Sequence, residues 1–394
     1  MISAYDAHGS VLARSADTDG SSRLAVARRV LHLINGELYA GAERVQDLLA
    51  ARLPEFGYRV GFACVKPGQF AAMRMARMAP LHEIPMRSRL DISAVRSLIQ
   101  LIRSAGYRLV HAHTPRTALL GRIAAHASGV PLVYHVHSPA ARESTHRLRN
   151  RLNRLVEQWS LRPAARLIAV SQSLHAQLQA TAISADRVRY VPNGVPAVRP
   201  FAARPKPSGT WMLGTVGLFR PRKGLDVLLR AMVELNRLAP GRVRLRAVGA
   251  FASRGYETRI KRLARQYGLG ALIEWTGFTR DVSHELSRMD LLLLPSLFGE
   301  GMPMVVLEAM AAGVPVVATR VEGVPDAVRD GRDGLLVQPG NSTDLAQAVC
   351  RFVSGQVDWC HIRENARRRH AARFSDRSMA AGVAAVYGEV LGDP

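Results

Sequence analysis

Short apolar runs recur along this chain, and helix-period stretches stand between most of them. They fall at 30–34, 59–65, 81–85, 109–113, 132–137, 167–171 and 188–191, and again at 212–217, 243–249, 272–277, 291–294, 315–319 and 335–338. An uninterrupted apolar run marks a strand buried on both faces, and its alternation with helices builds a doubly wound parallel sheet. Between the two series, residues 197–210 are rich in proline and lack apolar period, so they read as a linker. The pattern predicts an α/β protein of two Rossmann-like domains, at 25–196 and 211–372, behind a polar tail at 1–24. Residues 363–391 read as helix, with Val383, Val386, Tyr387 and Val390 on one face, and 373–394 form a separate C-terminal segment.

The most informative stretch is 290–341. A buried strand at 291–294 is followed by a helix over 304–312, introduced by Pro303 and closed by Gly313, and then by a second buried strand. Connections this short force a βαβ unit. Within that apolar helix, among Met304, Val305, Val306, Leu307 and Met310, the one charge is Glu308, and seven residues separate it from Glu300. An unpaired buried carboxylate is costly, so Glu308 needs either a polyol ligand or one of the chain's arginines. Glu300 lies in the loop at the carboxyl end of the strand, where open α/β sheets bind ligands and where a helix N-terminus offers amides. Carboxylates for hydroxyls beside amides for an anion suit a sugar joined to a phosphate.

The run E-G-M-P-x-x-x-x-E-A-M-A-x-G-x-P-V-V-A at 300–318 closely resembles the donor-site signature of glycosyltransferase family 4, retaining enzymes of the GT-B fold. The resemblance implies two Rossmann-like domains facing each other across a cleft, with the last helix crossing back to the first domain. It assigns Glu300 to hydroxyls of the donor sugar and Glu308 to the nucleotide ribose, with Gly301, Met302, Pro303 and the amides of Met304 and Val305 around the diphosphate. The segment N-G-E-L-Y-A-G at 35–41 is similar to the family's opening glycine loop, with Gly41 retained and Ala40 in place of the other glycine. W-T-G-F at 275–278 matches the segment whose backbone edge reads the base, which places Phe278 there.

The first strand of the second domain ends in G-L-F-R-P-R-K-G, 217–224, a basic turn before a helix. Lys223 suits a diphosphate as a point charge and an arginine as a planar fork. Where the family usually carries arginine this chain has Leu218, so Arg220, or else Arg222, is expected to supply the guanidinium. Two strands of the first domain end in histidine pairs, His111 with His113 and His135 with His137, each pair on one face by period two. No carboxylate or cysteine accompanies them at ligand spacing, so no metal is assigned, and Asp17-Thr18-Asp19 lies in the tail. The resemblance selects His137 as the histidine that reaches the donor sugar.

Composition adds few constraints. The 394 residues carry a net charge of +23, nearly all from arginine, since lysine stands only at Lys66, Lys206, Lys223 and Lys261. Such a surface is drawn to anionic membranes, and 142–166 carries arginines beside leucines at helical spacing, as an interfacial helix or an ordinary domain helix would. No zinc finger, RNP aromatic or reading helix points to specific nucleic acid. Cys64, Cys350 and Cys360 form no disulfide framework, and neither a signal peptide nor a membrane span is legible, so a cytoplasmic site is expected. The expected activity is a retaining, metal-independent hexosyltransferase with no cofactor beyond its UDP- or GDP-sugar substrate. It would act on a hydroxyl of a glycan or lipid-linked acceptor in cell-surface polysaccharide or lipopolysaccharide synthesis. A sugar-nucleotide epimerase, or a catalytically impaired basic scaffold or nucleic-acid-binding protein, remain the alternatives.

Overall fold

The structure is a computed structural model and describes residues 27–88, 91–138, 161–181, 184–198 and 205–392. The tail at 1–24, residues 199–204 of the linker and most of the basic stretch at 142–166 lie outside the described residues.

The first series of apolar runs forms β1 (Arg28–Ile34), β2 (Tyr58–Cys64), β3 (Leu81–Glu83), β4 (Leu109–Ala112), β5 (Leu132–Val136), β6 (Arg166–Ala169) and β7 (Val188–Tyr190). The second forms β8 (Trp211–Val216), β9 (Val243–Val248), β10 (Ile273–Gly277), β11 (Leu291–Leu294), β12 (Val316–Thr319) and β13 (Gly334–Val337). All pairings are parallel, in the orders β3-β2-β1-β4-β5-β6-β7 and β10-β9-β8-β11-β12-β13. Both sheets therefore reverse winding once, between β1 and β4 and between β8 and β11. A crevice opens at the carboxyl ends of strands at such a reversal, because the flanking helices there diverge to opposite faces.

The central strands are buried on both faces, while the edge strands β3, β7 and β10 are partly exposed. Leu31, Leu33, Phe62 and Val110 fill the first domain; Trp211, Leu228, Phe352 and Trp359 fill the second. Burying each such side chain contributes roughly 1.5–3 kcal/mol. The helix Met304–Ala312 ends at Gly313, whose φ of 69° is the left-handed conformation that lets the chain turn straight into β12.

The single helix expected over 363–391 is instead two, Trp359–Arg373 and Asp376–Leu391. The break is a backbone exchange with the end of the first domain: Val195 N–H donates to Phe374 O at 2.9 Å, and Asp376 N–H donates to Val195 O at 3.0 Å. Ser375 then caps the last helix by accepting from Ser378 N–H. That helix lies on the first domain. Arg52 Nε donates to Asp376 at 2.7 Å near its start, and Arg166 and Arg189 hold Glu389 near its end. A helical period cannot announce this break, because nothing in the local sequence forbids helix at Phe374.

Candidate active site

Glu300 lies in the loop after β11, 5% exposed. It accepts hydrogen bonds from Lys223 Nζ at 2.5 Å and Ser296 Oγ at 2.6 Å, with Arg222 Nη1 3.8 Å away. Burial alone would raise its pKa; the charges of Lys223 and Arg222 and the two hydrogen bonds outweigh that, so the carboxyl lies below its ordinary range. Lys223 arrives from the turn Pro221–Lys223 after β8. The two strands at the winding reversal of the second sheet thus deliver the acid and the base to one point.

Arg222 is committed elsewhere: Nη1 donates to Gly299 O at 2.8 Å and Phe298 O at 3.3 Å, bracing the Glu300 loop by its carbonyls. Arg220 is half-buried at the interdomain gap, close enough to Glu43 of the first domain for its charge to pull that carboxyl down. Burial is the larger influence on Glu43 and leaves its pKa raised.

Three features of this loop escaped sequence reasoning. Glu322, at φ 25° and alone among the described non-glycine residues in having a positive φ, accepts from the Gly299 and Glu300 amides at 2.9 and 3.2 Å. That strained conformation clusters at ligand sites because the surroundings must enforce it. Thr319 Oγ1 donates to Ser296 O at 2.5 Å, and Asn193 Nδ2, from the first domain, donates to Met302 O at 3.0 Å. The sequence alone does not show that this asparagine, just before the linker, clamps the other domain's loop.

Glu308, on the helix Met304–Ala312, forms an ion pair with Arg44 from the helix Gly41–Arg52 of the first domain. The arginine partner weighed against a ligand role is therefore present. Even so, its contacting oxygen, Oε1, has no aligned hydrogen bond, and the pair bridges the two domains instead of lying inside one. Gly41 approaches the same helix, with Met304 Cγ 3.7 Å from where its Cβ would stand. The helix N-cap is Pro303, which offers no side-chain acceptor to the first-turn amides. Val305 is half-buried in that first turn.

The domains touch at Gly301. A Cβ there would lie 2.0 Å from the carbonyl oxygen of His137, so only glycine admits this approach. Phe278 is not part of the cluster: it follows β10 at the sheet edge, separated from β11 by β9 and β8, with its ring 55% exposed.

His137 heads a larger group than the two pairs read from sequence. Register places His32 of β1 beside His111, and the continuation of the β4–β5 register places His113 beside His135. Five imidazoles therefore share one face of the first sheet. Tyr387 Oη, from the last helix, lies 2.9 Å from His32 Nε2 and 2.6 Å from His111 Nδ1. His32 Nδ1 lies 3.2 Å from His113 Nε2, and His113 Nδ1 lies 3.0 Å from His137 Nε2. Burial holds these rings neutral, pulling His32 to about 3 and His137 to about 4, with His111, His113 and His135 also well below the usual value.

Two family models divide the chain between them. One, Glycosyltransferase Family 4, matches residues 39–199, and the other, Glycosyl transferases group 1, matches residues 211–354. The D-inositol 3-phosphate glycosyltransferase of Rhodococcus erythropolis is 30% identical over 71% of this chain and 67% of its own length. The UDP-Gal:alpha-D-GlcNAc-diphosphoundecaprenol alpha-1,3-galactosyltransferase of Escherichia coli is 27% identical over 68% of this chain and 72% of its own. Among solved structures, Anabaena HepE in complex with UDP and glucose superposes with a TM-score of 0.81 at 22% identity, covering 92% of this chain and all of HepE. That likeness establishes the fold, two Rossmann-like domains in the GT-B arrangement.

Proposed function

Since the chain belongs to glycosyltransferase family 4, we propose that it moves a hexose, with retention, from a UDP- or GDP-sugar to a hydroxyl of a glycan or lipid-linked acceptor. The observation that carries this reading is the buried Glu300–Lys223 pair, at the winding reversal of the second sheet and next to the Gly301–His137 contact between domains.

In this reading the ligand-free pair holds both groups in place. When donor enters, Lys223 turns its charge to the departing diphosphate, joined by Arg220 and the first-turn amides of Met304 and Val305. Glu300, ionised throughout the neutral range, accepts from sugar hydroxyls. Glu308 exchanges Arg44 for the ribose hydroxyls, which supply the aligned donors that its Oε1 lacks. His137, kept neutral by burial, orients the sugar or acceptor hydroxyl by hydrogen bonding. Phe278 then contributes only through its neighbouring backbone. Closure of the domains excludes water that would otherwise hydrolyse the donor.

Uridine is the base favoured by the E. coli relative and by the HepE complex. The net charge of +23 supports action at an anionic membrane surface on the cytoplasmic side, in polysaccharide or lipopolysaccharide assembly. Among the described residues no helix is long and apolar enough to cross a membrane. Incubating the chain with UDP- and GDP-sugars and a lipid-linked glycan tests the reading. Elongated glycan with the anomeric configuration of the donor supports it; inverted product, or interconversion of donor sugars without acceptor, overturns it.

A further inference from the structure

The histidine face carries more nitrogen than its own hydrogen bonds use. Four buried ring nitrogens have no partner: His111 Nε2, His137 Nδ1 and both nitrogens of His135. His135 is wholly buried. Each such buried group forfeits its hydration with nothing in exchange, so a cluster of them on adjacent strand ends calls for a ligand that accepts lone pairs.

We propose that His113, His135 and His137 form a site for one transition-metal cation of the imidazole-binding class, with Zn2+ as its reference ion. Each ring offers one nitrogen, and the three atoms lie within 4.8 Å of one another. Ligand nitrogens of a tetrahedral zinc site stand about 3.4 Å apart, so the rings close on an ion through small side-chain rotations. The parallel register explains the convergence. His135 and His137 are two residues apart on one strand end, and His113 stands beside His135 on the next, which builds a three-histidine set from two H-x-H segments.

The remaining histidines then act as outer partners. His113 ligates through Nδ1, exchanging its 3.0 Å contact with His137 for a shared ion, while its Nε2–H donates to His32 Nδ1. His32 Nε2–H donates to Tyr387 Oη, whose hydroxyl hydrogen goes to His111 Nδ1. Every ring in this assignment is neutral, and the hydrogens on His113 Nε2, His32 Nε2 and Tyr387 Oη each have one acceptor, the kind of outer partner that fixes tautomer and orientation at a metal-bound histidine. A second trio, His32, His111 and His113, is also compact, but Tyr387 and His113 already occupy most of its nitrogens. The His137 end adjoins the interdomain contact at Gly301.

The test uses the full untagged chain, stripped with chelator and titrated with Co2+ and Zn2+ in equilibrium dialysis. We expect one equivalent per chain, visible ligand-field bands with Co2+ that Zn2+ displaces, and a rise in Tm on metal addition. His135→Leu should abolish the bands while leaving the metal-free Tm unchanged or higher, because neither lost nitrogen had a partner. His284→Ala and His361→Ala, at exposed positions, should change nothing. Absence of saturable uptake by the wild-type chain, or bands that survive both His135→Leu and His137→Asn, would overturn the site. Should His135→Leu fail to fold, imidazole NMR of the wild-type chain decides: Zn2+ must shift His113, His135 and His137 together.

Discussion

The two sheets share a winding order and a reversal point, yet their carboxyl ends carry opposite chemistry. At the second sheet, Glu300, Lys223 and Arg222 keep full charges close together, and the carboxyl is held ionised despite burial. At the first, five imidazoles and Tyr387 fill the corresponding face, and burial strips them of charge. A single topology therefore presents a fixed electrostatic clamp on one side of the gap and a neutral, hydrogen-bonding, lone-pair-rich surface on the other. A charged diphosphate belongs with the first kind of edge; hydroxyl groups that must be oriented without competing charge belong with the second.

Acid separates the two edges most strongly. A buried histidine whose folded pKa lies below its unfolded value of 6.5 costs nothing above that pH. As pH falls, the unfolded chain takes up protons that the fold refuses, at about 1.4 kcal/mol per pH unit for each histidine. Five such rings together rival the roughly 5–15 kcal/mol net stability of a domain near pH 5. The lowered Glu300 carboxyl acts in the same direction but in a lower window: its contribution is present above the ordinary carboxylate range and is lost only as pH falls through that range and below. We expect the first domain to fail between pH 6.5 and 4, with loss of near-ultraviolet tyrosine dichroism, before the fluorescence of Trp211, Trp275 and Trp359 reports the second. Simultaneous loss below pH 4 would remove the distinction.

Next in size are the charged groups themselves. Lys223→Ala and Glu300→Gln should each lower kcat by about 10²–10³-fold, the scale of losing one charge-stabilising group in a dry site. Tyr387→Phe acts on the neutral edge alone. Leaving His32 and His111 without their hydroxyl partner should cost about 1–3 kcal/mol in denaturant unfolding, with donor binding unchanged. Smallest is Arg44→Ala, which frees Glu308 from its cross-domain pair and should tighten nucleotide binding a few-fold by calorimetry; weaker binding would mean that Arg44 belongs to the donor site.

The charged edge was the more legible of the two in sequence. Glu300, Glu308 and Lys223 stand out because a carboxylate in an apolar helix and a basic turn after a buried strand contradict their surroundings. The strands emerged as short, mainly apolar runs between helix-period stretches. The histidine face was only half visible. Period two groups His111 with His113 and His135 with His137, but adding His32 needs the β1–β4 register, and Tyr387 comes from a helix more than 270 residues further along. Glu322 was hidden because its role depends on a backbone angle, and Asn193 because its partner lies in the other domain. The ion pair between Arg44 and Glu308 was foreseen as a possibility without its arginine, since nothing local says which of many guanidinium groups a fold will bring.

The central claim is that the acids and Lys223 of the second domain grip a nucleotide-sugar. Isothermal titration of the wild-type chain, Lys223→Ala and Glu308→Ala with UDP- and GDP-sugars tests it most directly. The account predicts saturable binding of one donor by the wild-type chain and affinity at least tenfold weaker in each variant, with unchanged folding by circular dichroism. Equal affinity in all three proteins, or no binding by the wild-type chain, would contradict it.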